Sequence, residues 1–169
     1  MIKRLLLIVI VSLSGAGLVR GFLFEGVWIA SGSMEPTLPE GTHYFVNKVI
    51  YHLRPPLRGE IIVFRSPVDN QKGLIKRVIA VGGDRVEIRR KQVSLNGTPL
   101  SEPYAVYKRA TERLLGDTLP LLAVPAEAYF VLGDNRDESE DSASWKDAAT
   151  GAKIYFVKRE NIQGRLVIP

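Results

Sequence analysis

The sequence predicts a mainly β fold, a coiled antiparallel sheet or partly closed barrel, with one N-terminal transmembrane helix. Three observations predict it. Short β-rich runs at 26–30, 43–51, 60–65, 74–81, 85–88, 92–95 and 129–132 are separated by glycine and proline punctuation. Pro36, Pro39, Pro55 and Pro56 forbid a long helix early in the part that follows residue 24. An uncharged apolar run from Leu5 to Val19, closed by Arg20, stands apart at the start.

The apolar run sets the organisation. As a helix its fifteen residues rise about 22 Å, short of a hydrocarbon core of roughly 30 Å, and extension through Phe24 with Arg20 snorkelling reaches about 30 Å. Lys3 and Arg4 then stay cytoplasmic and the remainder is exported. A cleaved secretory signal with Ser14-Gly15-Ala16 as its small-x-small site is the alternative, and it exports the same remainder. The expected division is a membrane anchor over 1–24 and one β-rich extracytoplasmic domain over 25–169. At 169 residues and 46% hydrophobic, the chain has material for one core and not for two.

Within the domain, the segment 85–100 alternates and carries Asn96-Gly97, a hairpin or meander signal. The single soluble helix expected lies near 107–115. The basic run Arg89, Arg90, Lys91 has no interleaved aromatics, so it reads as a solvated face, and no nucleic-acid partner is expected from the net charge of +5.

The absence of cysteine excludes disulfides, a thiol nucleophile and the usual structural zinc sites. The two histidines, His43 and His52, form no ligand pattern, so neither a metal nor a cofactor is expected. Chemistry has to come from hydroxyls, amines and carboxylates. Gly32 between Ser31 and Ser33 makes a tight polar loop at a strand end, suited to presenting a hydroxyl. Lys76 interrupts a strand of apolar residues, Leu74, Ile75, Val78 and Ile79, and reads as a buried amine. Taken singly, a turn serine and an edge-strand lysine are the commoner readings.

The combination is more specific. SGSMEPTL at 31–38, GEIIVFRSP at 59–67, IKRVIAVGGD at 75–84 and GDNRDESEDS at 133–142 resemble, in this order, the conserved segments of bacterial type I signal peptidases. These are membrane-bound proteases with a Ser/Lys pair that remove signal peptides. The resemblance implies Ser33 as nucleophile and Lys76 as general base. It implies Ser31 as a hydroxyl that stabilises the oxyanion together with the nucleophile's own N–H. It further implies Ser139 as the group that orients the lysine amine, and Asp141, near Gly133, as a loop-structuring acid with a basic partner. Arg77, on the opposite strand face from Lys76, is the partner expected for Asp141.

Ile29, Ala30, Met34, Leu38, Leu74 and Ile75 fall near positions lining the pockets for small substrate residues, although core packing explains each nearly as well. The implied partners are preproteins with Ala-x-Ala-like sites and the lipid bilayer of a bacterial cytoplasmic membrane. The chain departs from the family at Ala30, where proline is frequent, and at Ala143, where an arginine commonly pairs with the aspartate. It also has an apparent insertion over 144–155, and Arg77 or Lys146 is then the substitute partner for Asp141.

A lysine base needs burial. In water about one lysine in 2,500 is neutral at pH 7, a deficit of about 4.6 kcal/mol, and desolvation can lower a lysine pKa by about 3–5 units. Two rivals share the mechanism or the fold: a maturation peptidase dedicated to one exported substrate, and an inactive tethered peptide-binding module. A self-cleaving repressor is disfavoured by the apolar start, and eukaryotic-type signal peptidases carry histidine where Lys76 stands.

Overall fold

A computed structural model of the chain describes residues 23–109 and 111–168, with Arg4 and Gly21. The expected anchor over 1–24 lies almost wholly outside the described residues. Its last residue, Phe24, opens a strand instead, and among the described residues no helix is long and apolar enough to cross a membrane.

Two antiparallel sheets make the fold. The larger contains β1 (Phe24–Trp28), β2 (His43–Asn47), β3 (Ile61–Arg65), β4 (Gly73–Val81), β9 (Ala128–Leu132), β10 (Val157–Lys158) and β11 (Ile162–Val167), in the order β1-β2-β11-β3-β4-β9-β10. The smaller contains β5 (Arg85–Arg89), β6 (Gln92–Leu95), β7 (Thr98–Pro99) and β8 (Leu119–Ala123), in the order β7-β6-β5-β8. Every strand pair is antiparallel, as the patterning predicts.

Burial on both faces explains the apolar run of β3. Ile61 and Val63 of β3 pack into one cluster with Ile29, Met34, Leu38 and Val46, while Ile62 and Phe64 point the other way, against Val78, Val131 and Trp145. Alternating side chains thus feed two cores from one strand. Trp145 meets Phe64 edge-on with ring centroids 6.0 Å apart, so the segment 144–155 is anchored by an aromatic that completes the core.

The element ends have local causes. The expected strand 43–51 stops at Asn47, whose Oδ1 accepts from the N–H groups of Val49 and Ile50, each at 3.0 Å, and so opens the short helix α1 (Ile50–Leu53). Asn96-Gly97, with φ of 53° and 83°, makes the β6–β7 turn, and Arg90-Lys91, with φ of 47° and 72°, makes the β5–β6 turn. Lys91 does not lie on a solvated face as its run suggests; its side chain is only 14% exposed.

Among the described residues no helix forms where one is expected near 107–115. The chain there is committed elsewhere: just before the segment, Val106 N–H donates to the Asp134 carbonyl at 2.8 Å and its carbonyl accepts from Arg136 N–H at 3.0 Å, and within it Arg109 N–H donates to Asp137 Oδ2 at 2.6 Å. Tertiary bonds of this kind displace the i to i−4 ladder.

Gly164 marks a close approach within the sheet. It sits at a β11 bulge, where a Cβ would lie 2.6 Å from Val46 Cγ1 and 2.7 Å from the Asn47 carbonyl oxygen. Gly164→Ala is expected to destabilise the domain by about 1–3 kcal/mol, measured as a lower urea midpoint, and an unchanged midpoint would show that the strands separate freely there.

Candidate active site

The site forms where three pieces of chain meet: the 3-10 turn Gly32–Met34, the first half of β4, and the loop 133–142 that follows β9. Register does the positioning. Lys76 pairs with Ile62 and Arg77 with Ile61 on β3, so adjacent side chains leave on opposite faces. Met34, wholly inside the core, pins the turn and leaves Ser33 half-buried at its surface.

Lys76 Nζ donates to Ser33 Oγ at 2.6 Å across 43 residues of chain, and Ser31 Oγ donates to the same oxygen at 3.4 Å. Lys76 is 3% exposed. Burial pushes its amine down to about 8, and the Lys72 charge adds to that, while Asp141, Glu140 and Asp134 pull the other way. The sequence-derived hydroxyl and amine are therefore in hydrogen-bond contact, and burial favours the neutral form of the amine.

The loop closes over the pair. Asn135 N–H donates to the Ser33 carbonyl at 3.1 Å and its side-chain amide to the Gly32 carbonyl at 3.0 Å. At Gly133 any Cβ would collide with Ser139 Oγ and the Ser33 carbonyl oxygen, so only glycine permits this approach. Asp141 is buried, and burial raises its carboxyl pKa against the lowering effect of bonds from Ser139 Oγ at 2.6 Å, Gly133 N–H at 2.9 Å and Ala143 N–H at 3.0 Å.

Two expectations are corrected here. Arg77 does not pair with Asp141. It grips Asp134 through Nε at 2.8 Å and Nη2 at 2.6 Å, with Thr37 Oγ1 donating to the same carboxylate and Tyr104 stacked 4.0 Å from the guanidinium. Its strand face meets Asp134, the second residue of the loop, before the chain reaches Asp141. Lys146 does not substitute either, because the Asp141 oxygens are taken by backbone N–H groups and Ser139. Ser139, expected to orient the lysine amine, donates to Asp141 at 2.6 Å, which leaves its oxygen free to accept. Ala143 lies under Gly116, where an added Cβ would come within 2.8 Å of the Ala143 methyl, so the 107–117 segment covers that position.

A cleft of about 580 Å³ runs beside the pair. All six pocket residues read from sequence line it: Ile29, Ala30, Met34, Leu38, Leu74 and Ile75. Ile29, Met34 and Leu38 are core residues as well, so the two readings were not exclusive. Val63 and the rim charges Lys72, Glu138 and Glu140 were not foreseen. Asp134 and Asn135 were also missed, although both sit inside the polar run that drew attention to Ser139. Strand pairing of β4 with β9 begins at Arg77, so Gly73–Lys76 has a strand partner only on its β3 side among the described residues.

Among known proteins, the family described as signal peptidase, peptidase S26, matches residues 1–169. A probable signal peptidase I-1 of Synechocystis sp. is 40% identical over 170 residues, covering 96% of this chain and 79% of that protein. Signal peptidase I P of Bacillus subtilis subsp. natto is 37% identical over 145 residues, covering 83% of this chain and 75% of its own length. A crystal structure of a signal peptidase I from Enterococcus faecalis is similar with a TM-score of 0.51 and 36% identity, covering 66% of this chain and 97% of that one.

The lowered amine has a stability signature. Unfolded, Lys76 titrates near 10.5, and folded near 8, so between those values the unfolded state binds more protons and wild-type stability rises with pH. Lys76→Met lacks this slope. Its stability advantage in urea unfolding is expected to shrink by on the order of 2–3 kcal/mol from pH 7 to pH 10.5, and a pH-independent gap would return the amine to its ordinary value.

Proposed function

The chain belongs to the signal peptidase family, peptidase S26, and on that footing we propose that Ser33 and Lys76 perform the cleavage by which this serine endopeptidase removes signal peptides. The observation that carries the assignment is the 2.6 Å contact between a buried amine and a half-exposed hydroxyl at the floor of an apolar cleft.

The chemistry follows from the geometry. A neutral Lys76 amine accepts the Ser33 hydroxyl proton as Oγ adds to the scissile carbonyl, and the oxyanion faces the Ser31 hydroxyl. Ser31 Oγ already points at the reacting oxygen in the resting state, so it needs little movement to donate to the new charge. Lys76 returns the proton to the leaving amine and the acyl group stays on Ser33. Water then attacks, gives its proton to Lys76, and the ester breaks with the proton returned to Oγ. Ser139 acts through Asp141, holding the loop against both groups rather than touching the reacting atoms.

The substrate binds as an added strand. The open edge of Gly73–Lys76 offers backbone groups, and alternate side chains of an extended peptide would enter the cleft beside Ile29, Met34, Leu38 and Ile75. These walls are the core itself and cannot yield to large residues, which accounts for small residues before the cut bond. The chain is membrane-associated, and its apolar start anchors it in a bacterial cytoplasmic membrane with the domain from residue 25 outside. Exposed Phe24, Trp28 and Phe45, on the neighbouring strands β1 and β2, suit the same apposition to lipid.

The test is cleavage in detergent of a synthetic preprotein with an Ala-x-Ala site. Wild type should cut after the second alanine, with kcat/KM rising as pH passes about 8 and the amine loses its proton. Ser33→Ala and Lys76→Ala should lose nearly all turnover, and Ser31→Ala about 10²–10³-fold. Full activity in Lys76→Ala would assign the base elsewhere.

A further inference from the structure

Between the active-site loop and the smaller sheet lies a buried charge cluster that the cleavage chemistry leaves unused. Lys91 stands in the β5–β6 turn at φ 72°, a conformation better suited to asparagine or glycine. Its Nζ donates to Asp137 Oδ1 at 2.9 Å and to the Arg109 carbonyl at 2.8 Å, and Asp117 Oδ2 stands 3.7 Å away. The Lys91 carbonyl accepts from Tyr107 Oη at 2.6 Å, fastening the turn itself to the 102–109 segment. Asp137, its side chain 1% exposed, takes a further bond of 2.6 Å from Arg109 N–H. A lysine kept in a left-handed turn position, with its amine led inward to a buried acid, is there for its side chain.

The place of Asp137 in the chain gives the cluster its meaning. It is the middle residue of the 3-10 turn Arg136–Glu138. Two residues earlier, Asn135 holds the carbonyls of Gly32 and Ser33. Two residues later, Ser139 lies against Gly133 and bonds Asp141, whose charge acts on Lys76. Displacement of this one turn would move the backbone brace of the nucleophile and the surroundings of the base together.

We propose that Lys91, on the smaller sheet, is a positioning residue for the cleavage reaction: by holding Asp137 it fixes the turn that braces the Ser33 backbone and sets Ser139 and Asp141 beside Lys76. The inference rests on the Ser33–Lys76 reading. Without the amine, Asp137 keeps the Arg109 N–H donor and the field of the Arg109 guanidinium but loses the cation bonded to it, and the turn relaxes toward water to hydrate the carboxylate. Misplacement of a reacting group by about 1 Å can cost about 10²-fold in rate. Lys91 lines no part of the cleft, and of the turn it holds only Glu138 reaches the cleft rim, so the loss falls on kcat more than on KM.

Lys91→Asn separates positioning from simple stability, because asparagine suits the turn while lacking the charge, and Lys91→Arg restores a cation. With the same preprotein, and with folded protein quantified by circular dichroism, Lys91→Asn should lose roughly ten- to a hundredfold in kcat with KM within about threefold of wild type. Lys91→Arg should recover kcat to within about threefold. A wild-type kcat in Lys91→Asn, or a loss that arginine leaves uncorrected, overturns the proposal. If Lys91→Asn does not fold, Asp137→Asn carries the test: a drop of the same size in kcat supports the proposal and an unchanged kcat overturns it. A wild type that shows no Ser33-dependent cleavage sinks the reading beneath it as well, whereas a cleaving wild type with an unaffected Lys91→Asn removes the Lys91 inference alone.

Discussion

The site depends on stripping water from an amine without cutting it off from a hydroxyl. Lys76 meets the first half of that constraint by pairing with Ile62 of β3, a strand whose apolar residues are buried on both faces. It meets the second because Ser33 rides on a turn pinned by Met34 at the rim of the same core. With its amine pushed down to about 8, about one molecule in ten carries a neutral lysine at pH 7, against about one in 2,500 for a free lysine. Burial thus removes most of the deficit that makes lysine a poor base.

Burial is opposed by the acids nearby, and the loop limits that opposition. Asp134 lies among the charges that act on Lys76, yet its carboxylate is held by both arms of the Arg77 guanidinium and by Thr37. Asp141 is drawn away by two backbone N–H groups and the Ser139 hydroxyl, which compete with the amine for its charge. Lys72 at the cleft rim repels the protonated amine. The strand period makes this possible, since it sends the permanently charged Arg77 to Asp134 and leaves the titratable Lys76 facing the hydroxyl.

The parts of this arrangement that were legible in the sequence are those governed by local period and residue type. Alternation marked most of the strands, Asn96-Gly97 marked its turn, and an amine breaking an apolar strand beside a Ser-Gly-Ser loop marked the reacting pair. The face taken by Arg77 was also legible. Its partner was not, because Asp134 and Asp141 lie on one irregular loop and only the folded path decides which acid crosses that face. The segment 107–115 misled for a related reason: its residues tolerate a helix, but the loop 133–137 offers its backbone better bonds. Lys91 was read with its charged neighbours, and nothing in a three-residue basic run tells which member turns inward.

An active-site loop whose one regular piece is a 3-10 turn must still be rigid, and its bonds show how that is achieved. The loop 133–142 satisfies its backbone through Val106 of the 102–109 segment, through its own Asp141, and through Asn135 against the nucleophile turn. Behind it, Arg136 and Glu102 form an ion pair with both side chains 7% exposed, and Arg136 Nε donates to the Gly133 carbonyl at 3.0 Å. A buried ion pair adds little net stability compared with apolar packing, but removing either partner leaves a charge the interior cannot tolerate. Its contribution is therefore to geometry. The smaller sheet and the 102–109 segment do not touch the substrate cleft, and their buried charges are directed at the loop, so their effect on the chemistry is to hold a nucleophile turn and a buried amine within hydrogen-bond distance of each other.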